Sequence, residues 1–144
     1  TALDCWIDAG VAYRRLGMYG KAKAIQESTL RVVETMYRTT HAKVLRARHN
    51  LAVTLLFLQE YGMAGQLFRR VLKERKEELT NAHPDTQNTA ANLVMCLVQT
   101  ATLADDLSKA DAILTEAETL TTSATNVQTM LALAALCHAY LLLT

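Results

Sequence analysis

The stretch NLAVTLLFLQEYGMA, residues 50–64, contains the pattern that decides the fold. Residues in the first half of this stretch, and His41 upstream of it, recur 42 positions later in the chain. The matching pairs are His41/His83, Asn50/Asn92, Leu51/Leu93 and Leu55/Leu97. The second half of the stretch matches residues 42 positions earlier, as Val53/Val11, Leu58/Leu16, Tyr61/Tyr19, Gly62/Gly20 and Ala64/Ala22. A fixed period of about 20–50 residues is typical of a repeat array, whose usual asset is a long binding surface rather than a catalytic pocket.

The apolar periodicity within each repeat predicts helices. The chain has 144 residues, of which 51% are hydrophobic, and a single proline, Pro84. Apolar residues at helical spacing predict seven helices, at about 2–16, 19–37, 42–59, 61–79, 84–102, 107–120 and 125–143. Gly17 suits a left-handed C-cap, Thr39 or Thr40 can cap the third helix, and Pro84-Asp85 suits the first turn of the fifth.

These helices pair into repeats at about 1–40, 41–82 and 83–122, followed by an additional helix at 123–144. One pair is too thin to bury its own apolar side, so stacked pairs must supply the core. We therefore predict an all-α fold, an α-solenoid of antiparallel helix pairs forming a single repeat domain over 1–144. We interpret the chain as a fragment of a longer protein.

Composition limits the function classes. No run of about 18 apolar residues is present, so we expect no membrane span. Residues 1–80 carry 14 Lys/Arg and 8 Asp/Glu, whereas residues 81–144 carry one Lys/Arg and 6 Asp/Glu. This polarity can steer an acidic partner, but a solvated helix face explains it equally simply. The basic residues are not interleaved with stacking aromatics, so nucleic acid is not expected as a partner.

Three cysteines, Cys5, Cys96 and Cys137, lie far apart within helical patterns. An odd number without pairing spacing indicates reduced thiols, which we expect to be buried small hydrophobes in an intracellular, cytoplasmic protein. No cysteine pair has zinc spacing and no glycine-rich phosphate loop is present, so we expect no metal, no cofactor and no enzymatic activity. His41 and His83 open their repeats and are interpreted as capping or packing residues.

The second repeat, with Asn50-Leu51-Ala52, Leu55, Tyr61 and Ala64, resembles the tetratricopeptide repeat (TPR), in particular the 42-residue variety of kinesin light chains. His83-Pro84-Asp85 matches the His-Pro-Asp opening of that variety. The first repeat departs from it at Asp8-Ala9, and the second has Gln59 in place of the turn glycine. The resemblance implies a TPR-like right-handed superhelix. An armadillo or HEAT array has a similar period, but we see no recurrent Asp and Arg within the helices to favour it.

In this family the first helix of each pair lines a concave groove that binds peptides, and the resemblance transfers that role position by position. The first repeat would present Asp4, Ile7, Asp8, Val11 and Arg15. The second would present Arg46, His49, Asn50, Val53, Leu56 and Phe57. The third would present Asn88, Ala91, Asn92, Met95 and Gln99. The related chaperone-tail clamp requires Lys and Asn where this chain has Ile7 and Val11, so that activity is not expected.

Two alternatives remain for individual residues. Asn50 and Asn92 can hold the main chain of an extended ligand with their amides, or they can bridge helices within the array. Arg46 would suit an acidic partner, but it can also be a solvated arginine.

Two hypotheses follow for the whole chain. The first is a non-catalytic protein–protein interaction scaffold that binds a peptide or helical segment of a partner in the groove, as in kinesin light chain-like cargo adapters. The second is a sensor or oligomerisation segment of a larger signalling protein, such as an NTPase switch or a transcriptional regulator. In the second hypothesis the apolar C-terminal helix, near 131–143, would mediate self-association.

Overall fold

The computed structural model describes residues 1–104 and 107–121, and these residues form six α-helices joined by short turns. The helices are α1 (Ala2–Arg15), α2 (Tyr19–Met36), α3 (Ala42–Phe57), α4 (Tyr61–Glu78), α5 (Pro84–Thr102) and α6 (Leu107–Thr121). Each of the first six predicted helices is present, with ends close to the predicted ones. The two described ranges contain no strand, which confirms the all-α fold. The predicted helix at 125–143 lies outside the described residues.

The chain divides into two compact units, the first at Thr1–Leu67 and the second beginning at Phe68, inside α4. In the first unit α1 packs against α2, and α3 contacts both of them. In the second unit α5 packs against α6. In the first unit α1 to α3, and in the second α5 and α6, therefore pack against the next helix along the chain, as the repeat pattern predicts.

The amphipathic side of α1 shows how this packing follows from helical spacing. Its buried residues, Leu3, Ile7 and Gly10, are separated by four and three positions and so lie on one side of the helix. Cys5 is two positions from Leu3 and Ile7, which turns it away from that side, and it is exposed. This corrects the expectation of burial for Cys5, whereas Cys96 is buried as expected. Cys137 lies outside the described residues.

Small residues allow the helices of the first unit to approach closely. A Cβ atom at Gly10 would lie 2.6 Å from Cγ of Gln26 on α2, which is too short for two carbon atoms. Ala22 and Ala52 are completely buried. Because close-packed interiors leave no room for extra methylene groups, these positions set the distance between neighbouring helices.

The turns that end α1 and α3 have the same geometry, 42 residues apart. Gly17 follows α1 with φ of 77° and Gln59 follows α3 with φ of 63°. In the first turn the N–H of Met18 donates to the carbonyl of Tyr13 at 2.9 Å, and in the second the N–H of Glu60 donates to that of Leu55 at 2.9 Å. The left-handed C-cap predicted at Gly17 is confirmed, and Gln59 adopts the same conformation despite having a side chain.

Histidines cap the first helix of the second and third repeats. Nδ1 of His41 accepts a hydrogen bond from the N–H of Lys43 at 3.1 Å, and Nδ1 of His83 accepts one from the N–H of Asp85 at the same distance. The capping role expected for both histidines is confirmed. The N-cap of α3 is therefore His41 rather than one of the two threonines before it.

A buried arginine links the first repeat to the second. Arg48 on α3 is only 2% exposed. Its Nε and Nη2 donate to Oε1 of Glu34 on α2, at 3.1 and 2.9 Å, and its Nη1 donates to the carbonyl of Thr39 at 3.3 Å. A buried guanidinium is tolerated because its charge and its donors have partners.

The second unit uses a different arginine for a similar link. Nη1 of Arg75 on α4 donates to the carbonyl of Asp85 at 3.0 Å and to the hydroxyl of Thr89 at 2.6 Å. Burial lowers the pKa of Arg75. On the surface of this unit Arg69 forms a two-pronged ion pair with Glu116 of α6, at 2.9 and 3.0 Å, and its hydrogen bonds hold the pKa of Glu116 below the usual range.

Candidate peptide-binding surfaces

The residues that the sequence assigned to a groove occupy equivalent positions on α1, α3 and α5. Four positions, spaced by four, three and four residues, recur in each repeat and lie on one side of their helix. They are Asp4, Asp8, Val11 and Arg15 on α1, Arg46, Asn50, Val53 and Phe57 on α3, and Asn88, Asn92, Met95 and Gln99 on α5. We call the α1 and α3 sets the first-unit surface and the α5 set the second-unit surface.

Ion pairs between α1 and α3 bring their two sets of residues together. Nη2 of Arg46 pairs with Oδ1 of Asp8, and Nζ of Lys43 lies 3.4 Å from Oδ2 of Asp4. A hydrogen bond from the Thr1 hydroxyl, helped by the Lys43 charge, lowers the pKa of Asp4. The N-terminal end of this surface is therefore a set of paired charges in which the positive charge of Arg46 is already balanced.

Asn50 lies in the middle of the first-unit surface and is half-buried. Its carbonyl accepts a hydrogen bond from Nη1 of Arg14 on α1 at 3.3 Å and one from the hydroxyl of Thr54 at 3.2 Å. Burial lowers the pKa of Arg14. The main chain of Asn50 thus bridges α1 and α3, whereas contact of its side-chain amide with a ligand stays a prediction.

The C-terminal end of the first-unit surface is apolar and accessible. Phe57 is 55% exposed, and its ring stacks on Tyr19 with centroids 5.2 Å apart and planes inclined by 9°. Val53 is half-buried, and Arg15 is exposed. An open cavity is lined by Asp8, Val11, Ala12, Arg15 and Leu16. A ligand at this end would meet the exposed Phe57 ring on α3 and, on α1, a cavity with Arg15 in its wall.

One repeat position differs from the sequence interpretation in all three repeats. Ile7, His49 and Ala91 are spaced by 42 residues, and they are 2%, 7% and 3% exposed. This position packs inward rather than facing a ligand, so His49 supports the first-unit surface from beneath. The sequence pattern assigned it to the surface because it is adjacent to the exposed positions on the helix.

The second-unit surface is mostly uncharged and polar. Asn88 and Asn92 are half-buried, and Nδ2 of Asn92 donates to the carbonyl and to Oδ1 of Asn88, at 3.0 and 3.4 Å. Met95 and Gln99 are exposed. The amide donors of Asn92 are thus engaged within α5, so a ligand would have to compete with these local hydrogen bonds.

Several residues that shape these surfaces were not singled out in the sequence. Tyr19, Arg14 and Lys43 each contact a predicted site residue or its neighbour across two elements. The charged contacts join α1 to α3 across 39 and 38 residues, and neither they nor the aromatic stack left a signal in the sequence that would select these partners.

Within residues 1–104 and 107–121, no group of three or more His, Cys, Asp or Glu side chains is arranged to hold a metal ion. Among the described helices, none combines the length and apolar character needed to cross a membrane.

Comparison with known proteins agrees with this architecture. Residues 3–77 match the family model of the tetratricopeptide repeat, which covers more than half of the chain. No curated protein sequence matches. Two similar solved structures are the nearly identical TPR-like repeats of a Podosopora anserina protein assigned as a kinesin light chain, and a substituted form of the same repeats, with TM-scores of 0.73 and 0.75.

Both structures are 17% identical in sequence to this chain, and each comparison covers 96% of it. This chain spans 65% of the length of either one. The identity is low enough that these structures speak for the fold alone. With the helix pairs and the family model, they lead to one conclusion: the chain belongs to the tetratricopeptide repeat family.

Proposed function

We propose that this chain is a non-catalytic interaction module whose first-unit surface binds an extended or helical segment of a partner protein. TPR repeats typically serve as protein-interaction scaffolds. The observation that carries the proposal is the accessible apolar end of the first-unit surface, where the exposed Phe57 ring is held by Tyr19. An exposed aromatic side chain that is held in place by a stacked neighbour is typical of an interface anchor.

The chemistry of this surface suggests what the partner segment contains. Phe57 and Val53 would bury an apolar side chain, and the exposed Arg15 would pair with a carboxylate next to it. Arg46 is already paired with Asp8, so it would contribute less to an acidic ligand than its sequence position suggests. We therefore propose an apolar residue flanked by an acidic one as the preferred ligand.

Asparagines would supply contacts that do not depend on ligand sequence. The side-chain amide of Asn50 can donate to and accept from a peptide main chain at once, and Asn92 is the equivalent residue on the second-unit surface. Such contacts orient an extended segment, while the apolar anchor supplies most of the affinity.

The test is a selection of peptides from a random library on the purified chain, followed by affinity measurements with variants. Phe57→Ala and Arg15→Glu should each weaken the selected peptides by about tenfold or more, or roughly 1.4 kcal/mol. Lys21→Glu makes the same charge change at an exposed position on α2 and should leave the affinity unchanged. The folding of each variant is checked by circular dichroism.

Asn50→Ala combined with Asn92→Ala tests the asparagine contacts separately. Selected peptides that bind all folded variants as well as the original chain would exclude the first-unit surface as their site. We further propose that the module acts in the cytoplasm, in a cargo-adapter role like that implied by kinesin light chain-type repeats. The described cysteines, Cys5 and Cys96, are free thiols, which suits that compartment.

A further inference from the structure

A glutamine side chain is buried without protein partners in the first unit. Gln26 on α2 is 4% exposed. Within the described ranges, neither its Nε2 nor its Oε1 has a hydrogen-bond partner in the protein. Buried amides left unpaired are uncommon, because each unsatisfied group costs about 1–3 kcal/mol.

The repeat pattern shows that the fold does not need a polar residue there. The position 42 residues after Gln26 is Phe68, which is completely buried. An aromatic side chain therefore satisfies the same repeat position by packing alone. A polar residue at a core position, without a hydrogen-bond partner inside the protein, is a departure from normal packing of the kind found at functional sites.

Gln26 also cannot easily turn away from this environment. Cγ of Gln26 lies so close to Gly10 of α1 that a Cβ atom at Gly10 would be 2.6 Å from it. The side chain is packed against neighbouring helices, and only its amide group can form hydrogen bonds.

A small cavity adjoins Gln26. Its volume is about 10 Å³, and it is lined by Ile7, Gln26, Thr29, Ala47 and Asn50, from α1, α2 and α3. About 10–15 Å³ is the space that one water-sized group requires, provided that two to four polar groups are within reach. Gln26 supplies a donor and an acceptor, and the hydroxyl of Thr29, which donates to the carbonyl of Ile25, keeps an oxygen that can accept.

The cavity lies beneath the first-unit surface. Asn50 is a member of that surface, and Ile7 precedes Asp8 of the same surface. The cavity is thus shared by α1, α2 and α3 and is bordered by Asn50 of that surface. A polar group that enters it would be held directly below the proposed ligand.

We propose that this cavity is a polar subsite that binds one hydroxyl-sized group, with Gln26 as its principal hydrogen-bonding residue. Either a water molecule or the hydroxyl of a partner side chain has this chemistry. If a partner supplies it, the subsite rests on the proposed function and gives the first-unit surface a preference for serine or threonine at one position. If water supplies it, the water fixes the orientation of Asn50, and Gln26 is a positioning residue for that surface.

The experiment is nuclear magnetic resonance on the 144-residue chain in water, followed by titration with methanol as a hydroxyl probe. We expect cross-peaks between a long-lived water and the side-chain NH2 of Gln26. Gln26→Leu should abolish the water cross-peaks at Ile7 and Thr29, and Gln66→Leu, at an exposed position on α4, should leave them intact. These measurements do not depend on any peptide ligand, so their failure is separate from failure of the proposed function.

Methanol distinguishes the two sources. Replacement of the water cross-peaks by saturable methanol-dependent shifts assigns the subsite to a ligand hydroxyl, and cross-peaks that persist assign it to solvent. The original chain showing neither water cross-peaks nor methanol-dependent shifts at Gln26 would overturn the proposal, whether or not Gln26→Leu folds.

Discussion

Replacing Gln59 by glycine should stabilise the protein, because the turn after α3 holds this residue in a conformation that suits glycine. Its φ is 63°, and the equivalent residue after α1 is Gly17, with φ of 77°. The Gln59 side chain is exposed, so its removal takes nothing from the core. The substitution therefore isolates the backbone conformation as the property that changes.

Two opposing effects set the magnitude. A left-handed conformation costs a residue with a Cβ atom roughly 1–2 kcal/mol. Glycine loses more conformational freedom on folding, which costs about 0.5–1 kcal/mol. The difference predicts that Gln59→Gly raises the free energy of unfolding by about 0.5–1 kcal/mol. For a chain of this length that corresponds to a rise in Tm of roughly 2–4 °C.

The assay is urea and thermal unfolding followed by circular dichroism, with two control variants. Gly17→Ala places a methyl group at the same left-handed position in open space, so it should lose about 1 kcal/mol through backbone conformation alone. Gly20→Ala is also in open space, but it lies in α2 without a left-handed φ, so it should gain up to about 1 kcal/mol. A loss of stability in Gln59→Gly, together with no loss in Gly17→Ala, would refute the reasoning.

Three further predictions concern the core. Gly10→Ala should lose about 1 kcal/mol despite better helix propensity, because its Cβ would clash with Cγ of Gln26, and adding Gln26→Ala should remove most of that loss. Glu34→Ala should lose about 1–3 kcal/mol in urea unfolding, because it removes the carboxylate oxygen that accepts from Nε and Nη2 of the buried Arg48, and a loss below about 0.5 kcal/mol would contradict this. Cys96 is buried, and that burial raises its pKa. Alkylation of its thiol should therefore be roughly 100-fold or more slower in the native protein than in urea. The rates are measured by mass spectrometry of the alkylated peptide, and equal rates would contradict this prediction.

Features repeated along the chain could be predicted from the sequence. The 42-residue period and the apolar spacing located the first six helices, because a helix that must bury one side needs apolar residues at that spacing. Gly17 at the first turn, Pro84 in the first turn of α5 and the two capping histidines were also predictable. Each of these depends on residues within one helical turn of one another.

The sequence did not predict which side chains face inward or which charged residues pair between helices. The sequence placed His49 with its neighbours on an exposed surface, and the structure buries it together with Ile7 and Ala91. It also left Arg46 available to an acidic partner, whereas Asp8 on α1 already pairs with it. Positions one residue apart differ by about 100° around a helix, so a small rotation decides which of them faces inward.

Local sequence was sufficient to locate the first six helices and several of their ends, because local hydrogen bonding and amphipathic spacing act over a few residues. The tertiary structure alone decided which polar groups find partners, including the Arg48–Glu34 pair and the unpartnered amide of Gln26. Those outcomes depend on interatomic distances between helices, and such distances are set by how all the side chains at the interface pack together.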